Sequence, residues 1–265
     1  MTTPEPIADS STDSPEATTD PTSSPLPGPN RDAAYWAAEA GRLKVGAMPA
    51  GAVNINVDGR RVVGPLQGFG PMWQKTYSMP LVGAQVTPAE VIQNWKANFP
   101  RFWPKGNRFY PSLTGIAPGE VALLRLSVGG MPLSTGVMVL YADEESFTLM
   151  TPEGHAFAGW ITFSAYEQDG ATVAQAQVLM RANDPLYEIG MTFGGHAKED
   201  RFWAQTLTAL GTRLGVPDPQ VETRSTCVDS HRQWRNARNI WHSAMLRSTL
   251  QTVAAPLHRR SRPAA

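Results

Sequence analysis

Residues 159–182 read GWITFSAYEQDGATVAQAQVLMRA. Their centre, Asp169-Gly170, is a hairpin signal, because both residue types tolerate the positive φ of a tight reversal. On either side, apolar residues alternate with polar ones. In the first arm Ile161, Phe163 and Ala165 share one face, and Thr162, Ser164 and Tyr166 the other. In the second arm Ala174, Ala176, Val178 and Met180 share a face opposite Gln175, Gln177, Leu179 and Arg181. Successive strand residues point to opposite sides, so the stretch predicts an antiparallel pair with one apolar and one mixed face.

Working outward adds strands upstream and a helix downstream. Residues 121–128, 133–141 and 147–151 read as strands, separated by Gly129-Gly130 and by the turn Asp143-Glu144-Glu145. Leu124, Leu126 and Val128 form one face of the first, with Arg125 and Ser127 on the other. The second alternates poorly, since 137–141 is apolar throughout; Met138 and Leu140 are read as pointing inward. Further upstream, 73–81 (WQKTYSMPL) alternates as a strand, and Thr87-Pro88-Ala89-Glu90 opens a helix. Thr87 is the N-cap, Pro88 takes the first helical position, and Glu90 completes a capping box. Val91, Ile92, Trp95 and Phe99 follow at helical spacing until Pro100 stops the run. Downstream, Asp184-Pro185 starts a short helical segment that Gly194-Gly195 breaks. Residues 199–214 then form the longest helix, with Trp203, Leu207, Leu210 and Leu214 in one stripe, ended by Gly215 and Pro217. Gly211 costs that helix stability and allows close approach to the sheet.

Composition bounds the class. The 265 residues carry 23 Lys+Arg against 23 Asp+Glu, with 42% hydrophobic and 17% charged residues. That supports a sizeable core and excludes a wholly disordered chain or a highly charged nucleic-acid binder. The single cysteine, Cys227, excludes an internal disulfide framework and a Cys-cluster zinc site. There is no apolar run of membrane-spanning length, and the first residues are polar and acidic rather than a secretory leader. The expectation is a soluble, cytoplasmic protein.

The zero net charge hides an asymmetry. Residues 1–30 hold five acids (Glu5, Asp9, Asp13, Glu16, Asp20), no Lys or Arg, and many Pro, Ser and Thr, which predicts a disordered tail. Residues 31–70 read as an N-terminal extension, with a short helix over 32–42 and a small hairpin pairing 53–57 with 61–63 around Asp58-Gly59. Residues 71–217 hold the main domain. Residues 218–265 form a basic tail, which from 221 onward carries Arg224, Arg232, Arg235, Arg238, Arg247, Arg259, Arg260 and Arg262 against Glu222 and Asp229. Within it, 229–253 reads as an amphipathic helix whose apolar stripe joins Trp234, Ile240, Trp241, Ala244 and Met245.

The order of elements is strand, helix, a run of antiparallel strands, then a long amphipathic helix. This resembles the START-like or SRPBCC superfamily, an α+β helix-grip fold in which a curved antiparallel sheet wraps around a long C-terminal helix. The strand at 74–81 followed by Thr87-Pro88-Ala89-Glu90-Val91 is similar to that superfamily's first strand and helix start. The segment 146–163 (SFTLMTPEGHAFAGWITF) resembles a stretch from an uncharacterised branch, matched at Gly154, His155, Gly159 and Phe163. The chain departs from that branch at Trp160, where an acidic residue usually follows the glycine. The resemblance covers roughly residues 70–215 and implies an apolar cavity between sheet and long helix.

On that reading the cavity is bounded by Leu124, Leu126, Met138, Ile161, Phe163, Ala174, Ala176 and Met180. His155, between two strands beside Gly154, is the polar residue singled out at its mouth, as a hydrogen-bond donor to a ligand carbonyl or an acid–base. Arg125 and Tyr166 are further polar candidates, read as facing solvent. The sequence holds no HExxH or other metal-ligand spacing, no phosphate loop and no nucleophile elbow, so no catalytic residue, metal ligand or cofactor is assigned. Two functions remain. One is non-catalytic binding or carriage of a hydrophobic small molecule or lipid. The other is a polyketide cyclase-like enzyme using the same cavity, which needs an inward polar pair that the predicted faces do not show. The basic tail adds a docking expectation. It packs on its own domain, or meets an anionic membrane surface or acidic partner, with nucleic acid behind both for want of a reading motif.

Overall fold

The computed structural model describes residues 33–38, 41–128 and 131–251. The expected disordered tail at 1–30 lies outside them. Eight strands form one antiparallel sheet: β1 Met72–Pro80, β2 Arg108–Tyr110, β3 Val121–Val128, β4 Met131–Ala142, β5 Ser146–Met150, β6 Phe157–Gln168, β7 Ala171–Ala182 and β8 Glu222–Asp229. Their order is β2-β3-β4-β5-β6-β7-β1-β8. Strands two to seven meander through short turns, and β1 closes on β7 with Tyr77 opposite Ala176. The β6–β7 hairpin turns at Asp169-Gly170, both at positive φ (51° and 77°), and pairs Phe163 with Ala176. Among the described residues no helix is long and apolar enough to cross a membrane.

Three helices cover the concave face. In α1, Pro88–Asn98, the Thr87 side chain accepts from the Glu90 amide and the Glu90 carboxylate accepts from the Thr87 amide at 2.8 Å, so two orphan donors of the first turn are satisfied. Its buried Val91, Ile92 and Trp95 pack on β6 and β7. Then α2, Pro185–Gly190, is capped by the Asp184 carboxylate and runs through a wide turn at Met191–Gly195 into α3, His196–Arg213. Leu207 and Leu210 of α3 are wholly buried against the sheet, and a Cβ on Gly211 would sit 2.9 Å from the Met79 side chain. The missing side chain is what lets helix and strand approach. This is the helix-grip architecture, with its sheet wrapped around α3.

The core is filled unevenly. One end is aromatic: Phe147 stacks on Phe163 at 4.7 Å, and Trp95 and Phe99 each meet Phe163 edge-on at 5.0 Å. Such pairs bury large area in fixed geometry, so this end is solid. The other end stays open.

Several elements differ from the sequence reading. Of the helix expected over 32–42, the described residues form a single 3-10 turn, Ala33–Tyr35, after which Trp36 bridges to Tyr141. The expected hairpin in 53–63 does not form. A turn does lie at Asp58-Gly59, but residues 53–57 do not pair across it: Leu43 bonds the backbone of Gly59 and Arg60, and Val62 and Val63 join Pro152, Thr151 and Gly159 of the main domain. In this extension Leu43 and Val57 pack on the outer face of the sheet against Val121, Leu123 and Met138, forming a second small core. Met138 and Leu140 therefore point outward, the reverse of the expectation, while Val137 and Val139 face the main core. With both faces covered, apolar residues run without alternation.

The basic tail is not one long helix. Residues 222–229 extend the sheet as β8, a nearly fully exposed edge strand. A 3-10 stretch, Trp234–His242, and a helix over 244–251 follow. The tail docks on its own domain. Arg181, buried on the outer face of β7, donates to the carbonyls of Gly70 (2.6 Å) and His231 (2.9 Å) and pairs with Asp229. Asn236 and Asn239, one 3-10 turn apart, donate to the carbonyls of Gly68 and Gln67 at 2.8 Å. Ala244 and Met245 enter the main core, whereas Trp234 and Trp241 stay exposed.

Candidate functional site

The open end of the core is a cavity of about 560 Å³. Its sheet wall is Leu124, Leu126, Val137, Leu149, Ile161, Val178 and Met180, from the inward positions of β3 to β7. Facing it are Leu186, Tyr187 and Met191 from α2 and the wide turn, Phe202 and Trp203 from α3, and Met245 from the C-terminal segment. Tyr187 accepts from the Met245 amide at 3.0 Å, which ties that segment to the wall. The rim carries Trp103, Asn107, Ser127, Lys198, Arg201, Gln205 and Phe193, the last 82% exposed where the backbone breaks helical geometry at Phe193 and Gly194.

Of the residues read from sequence as bounding the cavity, Leu124, Leu126, Ile161, Met180 and His155 line it. Phe163, Ala174 and Ala176 lie on the same sheet face but at the solid end, each wholly buried. Ala176 sits beside Phe163 and Tyr77, so its small side chain is matched by large neighbours and leaves no room. Met138 lies on the opposite face of the sheet. Arg125 and Tyr166 are exposed, and Arg125 lines a separate outer groove with Lys105, Arg108 and Tyr110. The alternation sorts inside from outside; it cannot tell which end of a face is filled by aromatics from another element.

His155 is 6% exposed. Its Nδ1 lies 3.0 Å from the Phe157 amide and 3.3 Å from the Phe157 carbonyl; accepting the shorter bond, from the amide, places the neutral ring's proton on Nε2. Burial pushes its pKa down from 6.5 to about 4, so the ring is neutral near pH 7. No acceptor among the described residues meets Nε2, and His155 lines the cavity. Gly154 fixes the loop: at φ 89°, an added Cβ would fall 2.1 Å from the His242 carbonyl, and the Ala244 amide donates to Gly154 at 2.8 Å.

A second polar group sits between β1 and α3. Lys75 is 1% exposed, with Nζ 2.7 Å from Asp200 Oδ1 and 2.9 Å from Glu199 Oε2. Tyr77 donates to Asp200 at 2.8 Å. Burial raises Glu199 from 4.5 to about 7 despite the Lys75 charge, and Glu199 also touches the cavity. Burial, then the Glu199 charge, pushes the Tyr77 hydroxyl well above its ordinary range. Sequence reasoning missed this cluster. The signal was present: Lys75 falls in phase with Tyr77 and Met79 on the inward face of β1. Among the described residues no three His, Cys, Asp or Glu are grouped to hold a metal ion.

No family model matches the chain, and no curated protein matches it. Among solved structures, a START superfamily protein from Mycobacterium smegmatis is 19% identical, covering 55% of this chain and 97% of its own, with a TM-score of 0.37. The protein Ara h 8.0201 is 13% identical over 54% of this chain and 97% of its own, TM-score 0.38. The ginseng major latex-like protein 151 from Panax ginseng is 9% identical over 55% and 99%, TM-score 0.34.

Proposed function

We propose that the protein binds and carries a hydrophobic small molecule or lipid in the cavity between α2–α3 and the sheet, without chemical change. The observation that carries this is the lining itself: aliphatic, aromatic and Met side chains with His155 as a polar contact beneath the rim. Sites for apolar ligands have this character, a greasy enclosure with few convergent polar groups, and the volume lies within their usual range of about 300–1,000 Å³. Met180, Met191 and Met245 add side chains that repack around different shapes. The Nε2–H of His155 orients a ligand acceptor such as a carbonyl or ether oxygen. Native mass spectrometry of the full chain purified without detergent tests this. An added small-molecule mass, extractable into organic solvent, supports carriage; a chain that takes up no apolar compound on incubation contradicts it.

One observation favours a second, enzymatic reading. Glu199 touches the cavity, and its proton affinity lies near neutrality, where a carboxyl serves as acid or base. Lys75 holds that carboxyl toward β1, so the binding reading stands first. Chemical change of the extracted ligand on incubation with wild type, lost in Glu199→Gln, would reverse the order.

A further inference from the structure

The charges of α3 are sorted by face. Its first two turns carry two acids and two bases, Lys198, Glu199, Asp200 and Arg201. Both acids turn toward β1, where they share Lys75 and Asp200 also accepts from Tyr77. Lys198 and Arg201, one turn apart on the helix, stand at the cavity rim with Gln205 a further turn on. Both bases are exposed, and among the described residues neither has an ion pair or side-chain hydrogen bond. Like charges three residues apart on a helix repel, and cations near a helix N-terminus oppose its dipole. The two acids between them, Glu199 and Asp200, are turned to Lys75 and pair with neither base. Across the mouth the rim is uncharged: Trp103, Pro104, Asn107 and Ser127. The one carboxylate among the lining residues, Glu199, is buried and held by Lys75.

We infer that the ligand is an amphipathic acid, its apolar body in the cavity and its carboxylate or phosphate head at the mouth, clamped by Lys198 and Arg201. This rests on the binding reading above and adds the class of ligand. An apolar enclosure with a two-cation rim selects that chemistry, because charge-assisted hydrogen bonds to an anion are stronger than neutral ones, and a planar guanidinium receives two oxygens at once. The head stays at the rim, since the walls beneath are apolar and a charge buried there would lose its hydration without a partner. Gln205 supplies a further donor one turn away.

The test displaces a neutral apolar fluorescent probe from the full chain with hexadecanol, hexadecanoate or hexadecyl phosphate, which share one chain and differ in the head. The acids should displace it at concentrations roughly tenfold below the alcohol, and added salt should narrow the gap. In the double variant Lys198→Gln, Arg201→Gln the gap should close while the probe and hexadecanol bind as before. The variant Lys105→Gln, Arg125→Gln, in the outer groove, should keep it. If acid and alcohol compete equally in wild type, the head-group inference fails and the cavity reading survives. A gap that closes with the outer-groove variant also overturns it. If the probe never binds, the cavity reading itself fails. The ranking of hexadecanoate against hexadecyl phosphate identifies which acid the clamp prefers.

Discussion

The two titratable groups at the cavity should leave opposite marks on stability, and each mark becomes visible when the other group is removed. His155 is buried neutral, its pKa lowered from 6.5 to about 4. Between those values the unfolded chain takes up a proton that the native ring refuses, so stability is lost as pH falls through that window. Glu199 is displaced the other way, from 4.5 up to about 7. There the native chain keeps a proton that the unfolded chain releases, so stability is lost as pH rises through that window. Each displacement corresponds to roughly 3 kcal/mol over its full range. In the overlap the two slopes cancel. Urea unfolding at a series of pH values reads both. In Glu199→Gln the stability should climb by about 3 kcal/mol from pH 4 to 6.5, where the His155 slope is no longer cancelled. In His155→Gln it should fall by about as much from pH 4.5 to 7. The double variant should track wild type in slope. If both single variants run parallel to wild type within about 0.5 kcal/mol, the two groups are not held as the geometry says, and the reasoning fails.

Other substitutions probe the frame around the site. Leu207→Ala removes a wholly buried side chain where α3 grips the sheet, and should destabilise by about 2–5 kcal/mol in calorimetry. A loss below about 0.5 kcal/mol would mean that α3 does not pack on the sheet. Ala176→Phe should overpack the solid end, costing about 1–3 kcal/mol while leaving probe affinity in the folded fraction unchanged. Weakened probe binding at wild-type stability would put Ala176 on the cavity after all. Gly154→Ala forces a Cβ onto the His242 carbonyl, so limited proteolysis should cut between residues 234 and 251 in that variant and spare wild type. Equal resistance would show that the C-terminal segment is anchored without that close approach.

What the sequence disclosed follows from where each signal is local. The α1 start was legible because Thr87, Pro88 and Glu90 satisfy the first turn within four residues. The β6–β7 hairpin was legible because Asp169-Gly170 fixes its register. By contrast, β8 carries no apolar alternation: Glu222–Asp229 is exposed along nearly its whole length, held through backbone pairing to β1 and the buried Arg181. Its neighbours Trp234, Ile240 and Trp241 imitated a helical stripe. The inside–outside assignment of β4 failed at Met138 because residues from 43 to 62 cover the outer face, a long-range contact that periodicity does not encode. At the site, His155 stood out as the polar residue in an apolar stretch. Lys75 and Glu199 did not, since their meaning comes from a strand and a helix more than a hundred residues apart meeting across the core.

The central claim is that one end of the core is empty and takes an apolar guest. Val178 lies on the same face of β7 as Ala176, two residues along, but lines the cavity. Titrating a neutral apolar fluorescent probe into wild type and Val178→Phe, with melting curves on both, tests the claim most directly. The account predicts saturable binding to wild type, at least roughly tenfold weaker binding to Val178→Phe, and an unchanged melting temperature, because the added ring fills vacant space. A wild type that never binds the probe, with Val178→Phe destabilised by about 1–3 kcal/mol, would show a filled core and contradict it.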